Sequence, residues 1–343
     1  MKVAFKIPLI LFASTVLFTQ CENEHEPEPK VEIKDSNFLN ALIERGIDTD
    51  GDGIISSVEA AHVSSLDISS CNISDLSGIE NFNDLDTLDC SKNELTFLDV
   101  SNNASLAYLN CGGNSLTSLD ISSHAALTSL RCYENQITSL DVSNNLDLKF
   151  LFCGENPLTS LDVSKNKALI FLWCINNQLT DLDVSENTQL IELRCENNHL
   201  TSLDVSNNLY LESLFCFDNQ LTSLDVSNNP HLVLLGFSNS QFTELDVSKN
   251  LALDQLFCAN NQLTSLDISN NSSLSVLECG GNLLTQLDIS NNPLIYYLDL
   301  IDMPSLQEVC VWEMPFPTEY VEVDTSGSPN IYFTTECSDI SSR

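Results

Sequence analysis

The chain has 343 residues, and its 49 acidic residues outnumber its 13 lysines and arginines, so the formal net charge is −36. So large a negative charge excludes nucleic acid as a partner, because phosphate backbones are held by Lys and Arg. It also excludes docking on an anionic lipid surface, and it leaves an exported soluble protein or one that collects cations.

Residues 1–20 are predicted to be a signal peptide. Lys2 and Lys6 precede an apolar run that is shorter than a membrane-spanning helix needs. Cys21 follows, and residues 21–34 form an acidic, proline-containing segment that we interpret as a solvated tether. This arrangement resembles the signal of bacterial lipoproteins. The resemblance implies a lipid anchor on Cys21 and an outer-membrane protein that faces the cell exterior. The alternative is a secreted protein in which Cys21 has no such role.

Residues 35–62 contain a second motif, in which acidic residues alternate with Thr and Gly before a final glutamate. Oxygen ligands at this spacing suit Ca²⁺, and Gly53 allows the sharp turn that the loop needs. The motif resembles an EF-hand loop, with an entering helix over residues 38–43 and a short exiting helix over residues 58–63. We expect a structural ion at the junction between tether and repeats. The alternative is an Asp- and Gly-rich turn that binds no metal. The predicted calcium ligands are Asp48, Asp50, Asp52, Ile54 (through its carbonyl), Ser56 and Glu59.

Residues 63–301 repeat at a constant interval of twenty-one positions, so that Leu190 and Cys195 recur as Leu211 and Cys216. The pattern is L-x-x-L-x-C-x-x-N-x-L followed by T-S-L-D-V-S-x-N. Apolar residues alternate with variable ones in the first part, which predicts a short strand with one buried face. One copy cannot bury its own apolar side, so we predict stacked coils whose strands pair in parallel around a shared core. The pattern resembles the leucine-rich repeat, in the short bacterial form called IRREKO, and this implies a repeat solenoid with few helices.

Three further columns accompany the leucines. Nine cysteines recur at one inward position, and we interpret them as small hydrophobic side chains, because the paired C-x-x-C spacing of metal sites is absent. The asparagine of the first half, such as Asn198, is predicted to hydrogen-bond turn backbone. The aspartate of the second half, such as Asp204, is predicted to accept hydrogen bonds from its own turn. The alternative for the aspartates is a strip of carboxylates that collects cations.

The copies differ mainly at the outward positions 3, 5 and 7 of each strand segment, where aromatic residues and arginines gather. Exposed rings beside arginine are typical of binding hot spots, so this strand face is the predicted ligand-binding surface. A protein and a glycan both fit, since aromatic rows also stack on sugar rings. The alternative is that some rings lie flat and only pack against their neighbours. The predicted ligand-binding residues are Tyr108, Arg131, Tyr133, Phe150, Phe152, Phe171, Trp173, Arg194, Phe215, Phe217 and Phe257.

Residues 302–343 depart from the repeat and are predicted to form a C-terminal β cap over the open end of the core. Within them, residues 319–325 and 330–335 are predicted to pair as a hairpin. Cys310 and Cys337 lie outside the repeat, and a disulfide between them would close the cap in an oxidising compartment.

The sequence offers no catalytic signature: its five histidines are scattered, and no nucleophile, zinc or phosphate-loop motif is present. We therefore expect a monomeric, non-enzymatic recognition protein of the cell surface that binds a protein or glycan. The alternative is a structural or assembly component of a surface complex, without a ligand of its own.

Overall fold

The computed structural model of the protein describes residues 29–337. Within that range, no helix combines the length and the apolar character that crossing a membrane requires. The predicted signal peptide, the lipidation site Cys21 and most of the predicted tether lie outside the described residues, so these assignments stay predictions.

Short parallel strands make up most of the described chain. The helices are α1 (Ser36–Glu44), α2 (Ser57–Ala61) and a 3₁₀ turn (Ile79–Asn81). The strands are β1 (Ser65–Asp67), β2 (Thr87–Asp89), β3 (Tyr108–Asn110), β4 (Ser129–Arg131), β5 (Phe150–Phe152), β6 (Phe171–Trp173), β7 (Glu192–Arg194), β8 (Ser213–Phe215), β9 (Leu234–Gly236), β10 (Gln255–Phe257), β11 (Val276–Glu278), β12 (Gln286–Asp288), β13 (Tyr297–Asp299), β14 (Glu308–Cys310), β15 (Glu322–Asp324) and β16 (Tyr332–Thr334). Strands β1 to β11, β13 and β15 form a 13-stranded sheet in that order, and β12, β14 and β16 form a second sheet.

The alternation in the sequence explains each strand. In β6, Leu172 is fully buried while Phe171 and Trp173 are half-buried, so one face of the strand lines the core and the other faces outward. Strand β6 pairs in parallel with β7, with Phe171 opposite Glu192 and Trp173 opposite Arg194, so that each residue faces its equivalent in the next repeat. One repeat therefore makes one coil, and the predicted parallel solenoid with few helices is confirmed.

The core consists of continuous columns of Leu, Val or Ile, and Cys side chains along the solenoid. The nine repeat cysteines are fully buried, which confirms the predicted cysteine ladder. Burial raises the pKa of the Cys111 thiol to about 12, so this thiol stays protonated and uncharged at neutral pH. At the one interruption of the ladder, Phe237 packs against Phe242 with ring centroids 4.6 Å apart.

The predicted asparagine column satisfies the backbone of the turns. Asn198 donates through Nδ2 to the carbonyls of Cys174 and Cys195 at 3.0 Å each. Its Oδ1 accepts from the N–H of Leu179 at 3.0 Å. One buried amide thus bonds to its own coil and to the preceding one, which confirms the predicted role of this column.

A second asparagine column, which the sequence analysis does not anticipate, runs through the other half of each coil. Asn208 is fully buried and donates to the carbonyls of Val184 and Asn187 at 3.0 Å each. His124 occupies the same column, with its Nε2 3.0 Å from the carbonyl oxygen of Val100. This buried histidine therefore has a structural partner in the preceding coil.

The aspartate column belongs to the turns, as predicted. Asp204 accepts through Oδ1 from the N–H of Ser206 at 2.9 Å, and equivalent bonds recur from Asp99 to Asp288. Hydrogen bonds from the Ser206 side chain and backbone lower the pKa of the Asp204 carboxyl. These bonds hold each carboxylate in its own turn and offset the repulsion between neighbouring coils.

The N-terminal helix docks on the first coil. Asp35 caps α1 by accepting from the N–H of Asn37 at 2.7 Å, and its second oxygen accepts from the N–H of Ser74 at 2.8 Å. On the inner side of α1, Phe38 is fully buried, with its ring 6.4 Å from that of Phe82. Helix α1 therefore covers the apolar end of the solenoid.

The predicted tether over residues 21–34 is wrong at its C-terminal end. Val31 is 2% exposed, and its N–H donates to the carbonyl of Ile55 at 2.9 Å. Apolar Val31 and Ile33 pack on the core instead of staying in water. The structure thus anchors this part of the chain against the loop between α1 and α2.

The predicted C-terminal hairpin is also wrong. Strand β15 pairs in parallel with β13, and β16 pairs in parallel with β14, so the two segments lie in different sheets. The reason is that Val323 and Phe333 alternate with polar residues as the repeats do, and each extends an open sheet edge of the preceding coil. Ser326 also donates its N–H to Asp324, as in the repeat turns.

Cys310 and Cys337 are paired, with Cα atoms 5.5 Å apart.

Candidate functional site

The predicted ligand-binding residues all lie at outward positions of the 13-stranded sheet or in the residue that follows a strand by two. Each of them is half-buried. They are therefore neither hidden in the core nor free in solvent. Their packing decides what this surface can bind.

Side chains at the central outward position stack from coil to coil. The Arg131 guanidinium lies 4.9 Å from the Phe152 ring centroid, and Phe152 meets Trp173 edge to face at 4.8 Å. Arg194 lies 4.9 Å from the Trp173 centroid and 4.8 Å from that of Phe215. Each contact contributes roughly 0.5–1.5 kcal/mol beyond burial. These contacts pre-organise the row. Phe152 and Trp173 therefore pack against their neighbours, as the alternative interpretation of the strand face predicts.

Beside this row lies an open cavity of about 480 Å³. Gly154 contributes no side chain to this cavity. The Ile175 side chain packs directly on Gly154, so that a β-carbon on Gly154 would lie 2.6 Å from Ile175 Cγ1. Tyr133 leans over Gly112 in the same way, with 2.7 Å between its ring and such a β-carbon. The lining residues are Arg131, Tyr133, Phe152, Gly154, Glu155, Phe171, Trp173, Ile175 and Glu192. We call this space the aromatic cavity, and its apolar floor with a few charged groups suits a partly apolar ligand.

The structure divides the predicted residues into three groups. Five of them line the aromatic cavity, namely Arg131, Tyr133, Phe152, Phe171 and Trp173. Three more flank it: Phe150 stacks on Phe171 at 5.5 Å, and Tyr108 and Arg194 contact the central row. Phe215, Phe217 and Phe257 form a ring cluster further along, with centroid distances of 6.1 Å, and Phe215 joins it to the row through Arg194.

Several lining residues escape the sequence analysis. Ile175 and Glu192 occupy outward strand-face positions that vary between coils, so variability alone could have found them. Glu155 sits at a turn position that holds Lys, Gly, Glu, Asn or Asp in other copies, and no signal marks it. Gly154 contributes open space because it has no side chain, and this effect depends on the positions of its neighbours in the folded protein.

Glu196 is an unusual carboxylate on the same face. It is 8% exposed, and its Oε2 has no hydrogen-bond partner among residues 29–337. Burial raises the pKa of this carboxyl to about 7, although the nearby positive charge of Arg194 partly opposes the shift. Arg194 itself is held by Glu192, with Nε and Oε1 2.9 Å apart. Glu196 therefore titrates near neutral pH.

We expect Glu196→Gln to flatten the pH dependence of stability. Between about pH 4.5 and 7 the unfolded chain loses the Glu196 proton while the folded chain keeps it, so the free energy of unfolding falls as pH rises. After allowance for solvent screening, the fall is on the order of 1–2 kcal/mol. Urea unfolding across this pH range checks it. The exposed Glu94→Gln should behave as the wild type, and an equal pH slope in Glu196→Gln would contradict the assignment.

The predicted calcium loop brings together some of its ligands. Carboxylate oxygens of Asp48, Asp50 and Asp52 lie within 4.8 Å of one another. Asp48 also accepts from the N–H groups of Gly51 at 2.8 Å and Gly53 at 3.0 Å, which curls the loop around these oxygens. Because Ca²⁺ binds oxygens at about 2.3–2.6 Å, one ion could bridge oxygens that lie at this separation. The donor set thus fits a hard cation.

The last predicted ligand, Glu59, is held by the loop itself. One of its oxygens accepts from the N–H of Thr49 at 2.6 Å, and the other accepts from the N–H of Ser56 at 2.9 Å. Desolvation opposes ionisation here, but the bonds from Ser56 and Thr49 prevail and lower the pKa of Glu59 to about 2. Ser56 and Glu59 form the capping box of α2. Glu59 is therefore ionised and fixed at the end of the loop.

Comparison with families of known proteins matches only short stretches of the chain. The family model of the LVIVD repeat matches residues 90–110 and 256–278. A search of curated proteins finds no significant match.

Solved structures give a closer comparison. The functional domain of InlJ from Listeria monocytogenes, which includes a cysteine ladder, is 32% identical over 80% of this chain and 74% of that chain, with a TM-score of 0.65. A leucine-rich repeat protein of Leptospira interrogans is 26% identical over 72% of this chain and 68% of that chain, with a TM-score of 0.63. The leucine-rich effector YopM from Yersinia pestis shares the fold at 24% identity, over 85% and 88% of the two chains, with a TM-score of 0.63. With its short regular coils and its own cysteine ladder, this chain belongs to the bacterial leucine-rich repeat proteins.

Proposed function

We propose that this protein is a non-enzymatic recognition protein that binds a protein or glycan partner on its strand face. The observation that carries the proposal is the aromatic cavity. Trp173, Phe152 and Phe171 converge there on a repeat surface that otherwise presents mostly Thr, Ser, Asp and Asn. Trp, Tyr and Arg in a partly enclosed, pre-packed site are the residues that dominate binding energy at protein interfaces.

The second candidate is a structural or assembly component without a ligand of its own. The stacking of Arg131, Phe152, Trp173 and Arg194 on one another favours it, because these contacts stabilise the sheet whether or not a ligand binds. The recognition proposal differs in requiring the aromatic cavity to bind a partner.

The proposal also covers where the protein acts and how the two ends of the solenoid are stabilised. A signal peptide and a lipid on Cys21 would place a monomer on the outer membrane, facing the exterior, where the strand face meets its partner. A single Ca²⁺ held by the loop between α1 and α2 would stiffen the N-terminal end of the solenoid. Residues 302–337 would close the other end, where the Phe316 ring lies 5.2 Å from that of Trp312 and 4.9 Å from that of Phe333.

The triple change Phe152→Ser, Phe171→Ser and Trp173→Ser tests the proposal. Partners are first identified with a glycan array and a cell-surface pull-down, and affinities are then measured on purified components. We expect at least a roughly hundredfold loss of affinity, because each hot-spot ring contributes about 2 kcal/mol or more.

The matched control removes three exposed rings elsewhere, Phe97→Ser, Tyr296→Ser and Tyr320→Ser. It should bind within about threefold of the wild type, because none of these rings lines the aromatic cavity. A triple cavity variant that stays folded and binds as well as this control would support the structural component instead.

A further inference from the structure

A second depression lies beside the aromatic cavity, on the side where strands β6 and β7 begin. Its volume is about 630 Å³. Its lining residues are Lys149, Ala168, Ile170, Gln189, Ile191, Tyr210, Glu212 and His231. We call it the aliphatic cavity. No sequence motif includes any of these residues.

The two cavities meet at the starts of β6 and β7. Ile170 directly precedes Phe171, and Ile191 directly precedes Glu192, so consecutive residues line one cavity and then the other. The backbone holds this row in register, because the N–H of Ile191 donates to the carbonyl of Ile170 at 2.9 Å. The two linings therefore lie within one residue of each other along the chain, close enough for one extended ligand to contact both.

The aliphatic cavity contains isoleucines at the same repeat position of two adjacent coils. In other coils this position is polar, as at Asp86, Thr128 and Ser275, or apolar, as at Val233 and Tyr296. Both isoleucines are half-buried, and the neighbouring Tyr210 is 55% exposed. Apolar side chains left in water at a wall of a cavity cost free energy that a partner can recover by covering them.

We propose that the aliphatic cavity is a second subsite for the same partner, and that the partner is a protein segment with apolar side chains flanked by lysine or arginine. This inference rests on the proposed function of the aromatic cavity and narrows its ligand.

Two observations favour a protein segment that carries basic residues. Ile170, Ile191 and Ala168 match the aliphatic side chains of a polypeptide, and the polar groups of the same lining can hydrogen-bond to its backbone. The charges within the two linings nearly cancel, with Arg131 and Lys149 against three glutamates. The preference for a basic partner therefore comes from the whole chain, whose formal charge of −36 attracts cationic segments and speeds their encounter.

A phage-displayed library of random peptides, panned on the whole chain, is the probe. We expect enriched peptides to combine apolar residues with Lys or Arg, and their affinity to fall as salt is raised. The double variant Ile170→Asp with Ile191→Asp should weaken a selected peptide by at least about tenfold. Tyr210→Ser, at an exposed ring that folding does not need, should weaken it in the same direction.

The chain provides a matched control for the double variant. Ser275→Asp with Tyr296→Asp changes the same repeat positions five coils further along, and it should alter peptide affinity by less than about threefold. Both double variants introduce the same charge, so a general electrostatic effect would weaken both equally. Their thermal unfolding midpoints show whether either change disturbs folding, and Tyr210→Ser decides the matter if the isoleucine variant unfolds.

The outcomes separate the two proposals. If peptides bind Ile170→Asp/Ile191→Asp and Tyr210→Ser as well as the wild type but lose affinity for the Phe152, Phe171 and Trp173 variant, the second subsite is overturned and the proposed function stands. If no peptide is enriched, or if the glycan array instead yields a ligand that depends on the aromatic cavity, the protein partner is overturned. If peptides bind every variant equally, both proposals fail.

Discussion

Replacing Asn198 by alanine is expected to lower the free energy of unfolding by about 3 kcal/mol. The buried amide donates to the carbonyls of Cys174 and Cys195 and accepts from the N–H of Leu179, all at 3.0 Å. Alanine leaves these backbone groups without partners in the interior, and each unsatisfied group costs roughly 1–3 kcal/mol. Urea unfolding followed by circular dichroism measures the change.

Asn207→Ala is the matched control for this prediction. Asn207 is exposed and makes one bond, from Nδ2 to the carbonyl of Ser185 at 3.3 Å, so its loss should change stability by less than about 0.5 kcal/mol. The two asparagines lie in the same pair of coils, and each is truncated to the same residue. If the variants prove equally stable, the asparagine column does not hold the coils together as the hydrogen bonds indicate.

Columns of identical residues explain why the fold could be predicted from the sequence. Leu193 recurs in every repeat and Cys195 in most of them, with the period-two alternation of a strand, and such a pattern is compatible only with stacked parallel coils. The C-terminal end could not be predicted in the same way. The interval from Leu298 to its sheet partner Val323 is longer than the regular interval from Leu277 to Leu298. Because of this longer interval, the twenty-one-residue period does not reveal the last coil, which contains β15 and β16.

The sequence predicts which face of the sheet carries the candidate site, but not where on that face a cavity forms. Variability at the outward positions located Arg131, Phe152 and Trp173, but it could not show which rings form a cavity. That depends on the leaning of Tyr133 and Ile175 over glycines, which is a packing property of neighbouring coils. The aliphatic cavity escaped because Ile170 precedes the strand, where the alternation that marks outward positions has not yet begun.

Calcium is expected to raise the stability of the N-terminal end, and Asp50→Asn to abolish most of this effect. Asp48, Asp50 and Asp52 bring carboxylate oxygens within 4.8 Å of one another, where their negative charges repel until a cation screens them. Binding to the folded loop alone stabilises it by about 2.7 kcal/mol when free Ca²⁺ is a hundred times its dissociation constant. Calorimetric titration of the chelator-treated protein should give one binding site, and Asp50→Asn should weaken it by at least about tenfold.

Asp204→Asn is the informative control, because it removes an exposed carboxylate from the aspartate column without touching the loop. The Asp204 carboxylate accepts from the N–H of Ser206 in its own turn, so its role is to stabilise that turn. Removing its charge should therefore leave the calcium isotherm unchanged. If instead Asp204→Asn reduces the stoichiometry while Asp50→Asn does not, the ions bind along the column and the loop is only a turn. Thermal melts with Mg²⁺ in place of Ca²⁺ complete the test. The smaller ion demands near-octahedral geometry and sheds water reluctantly, so a loop built for Ca²⁺ should be stabilised far less by it.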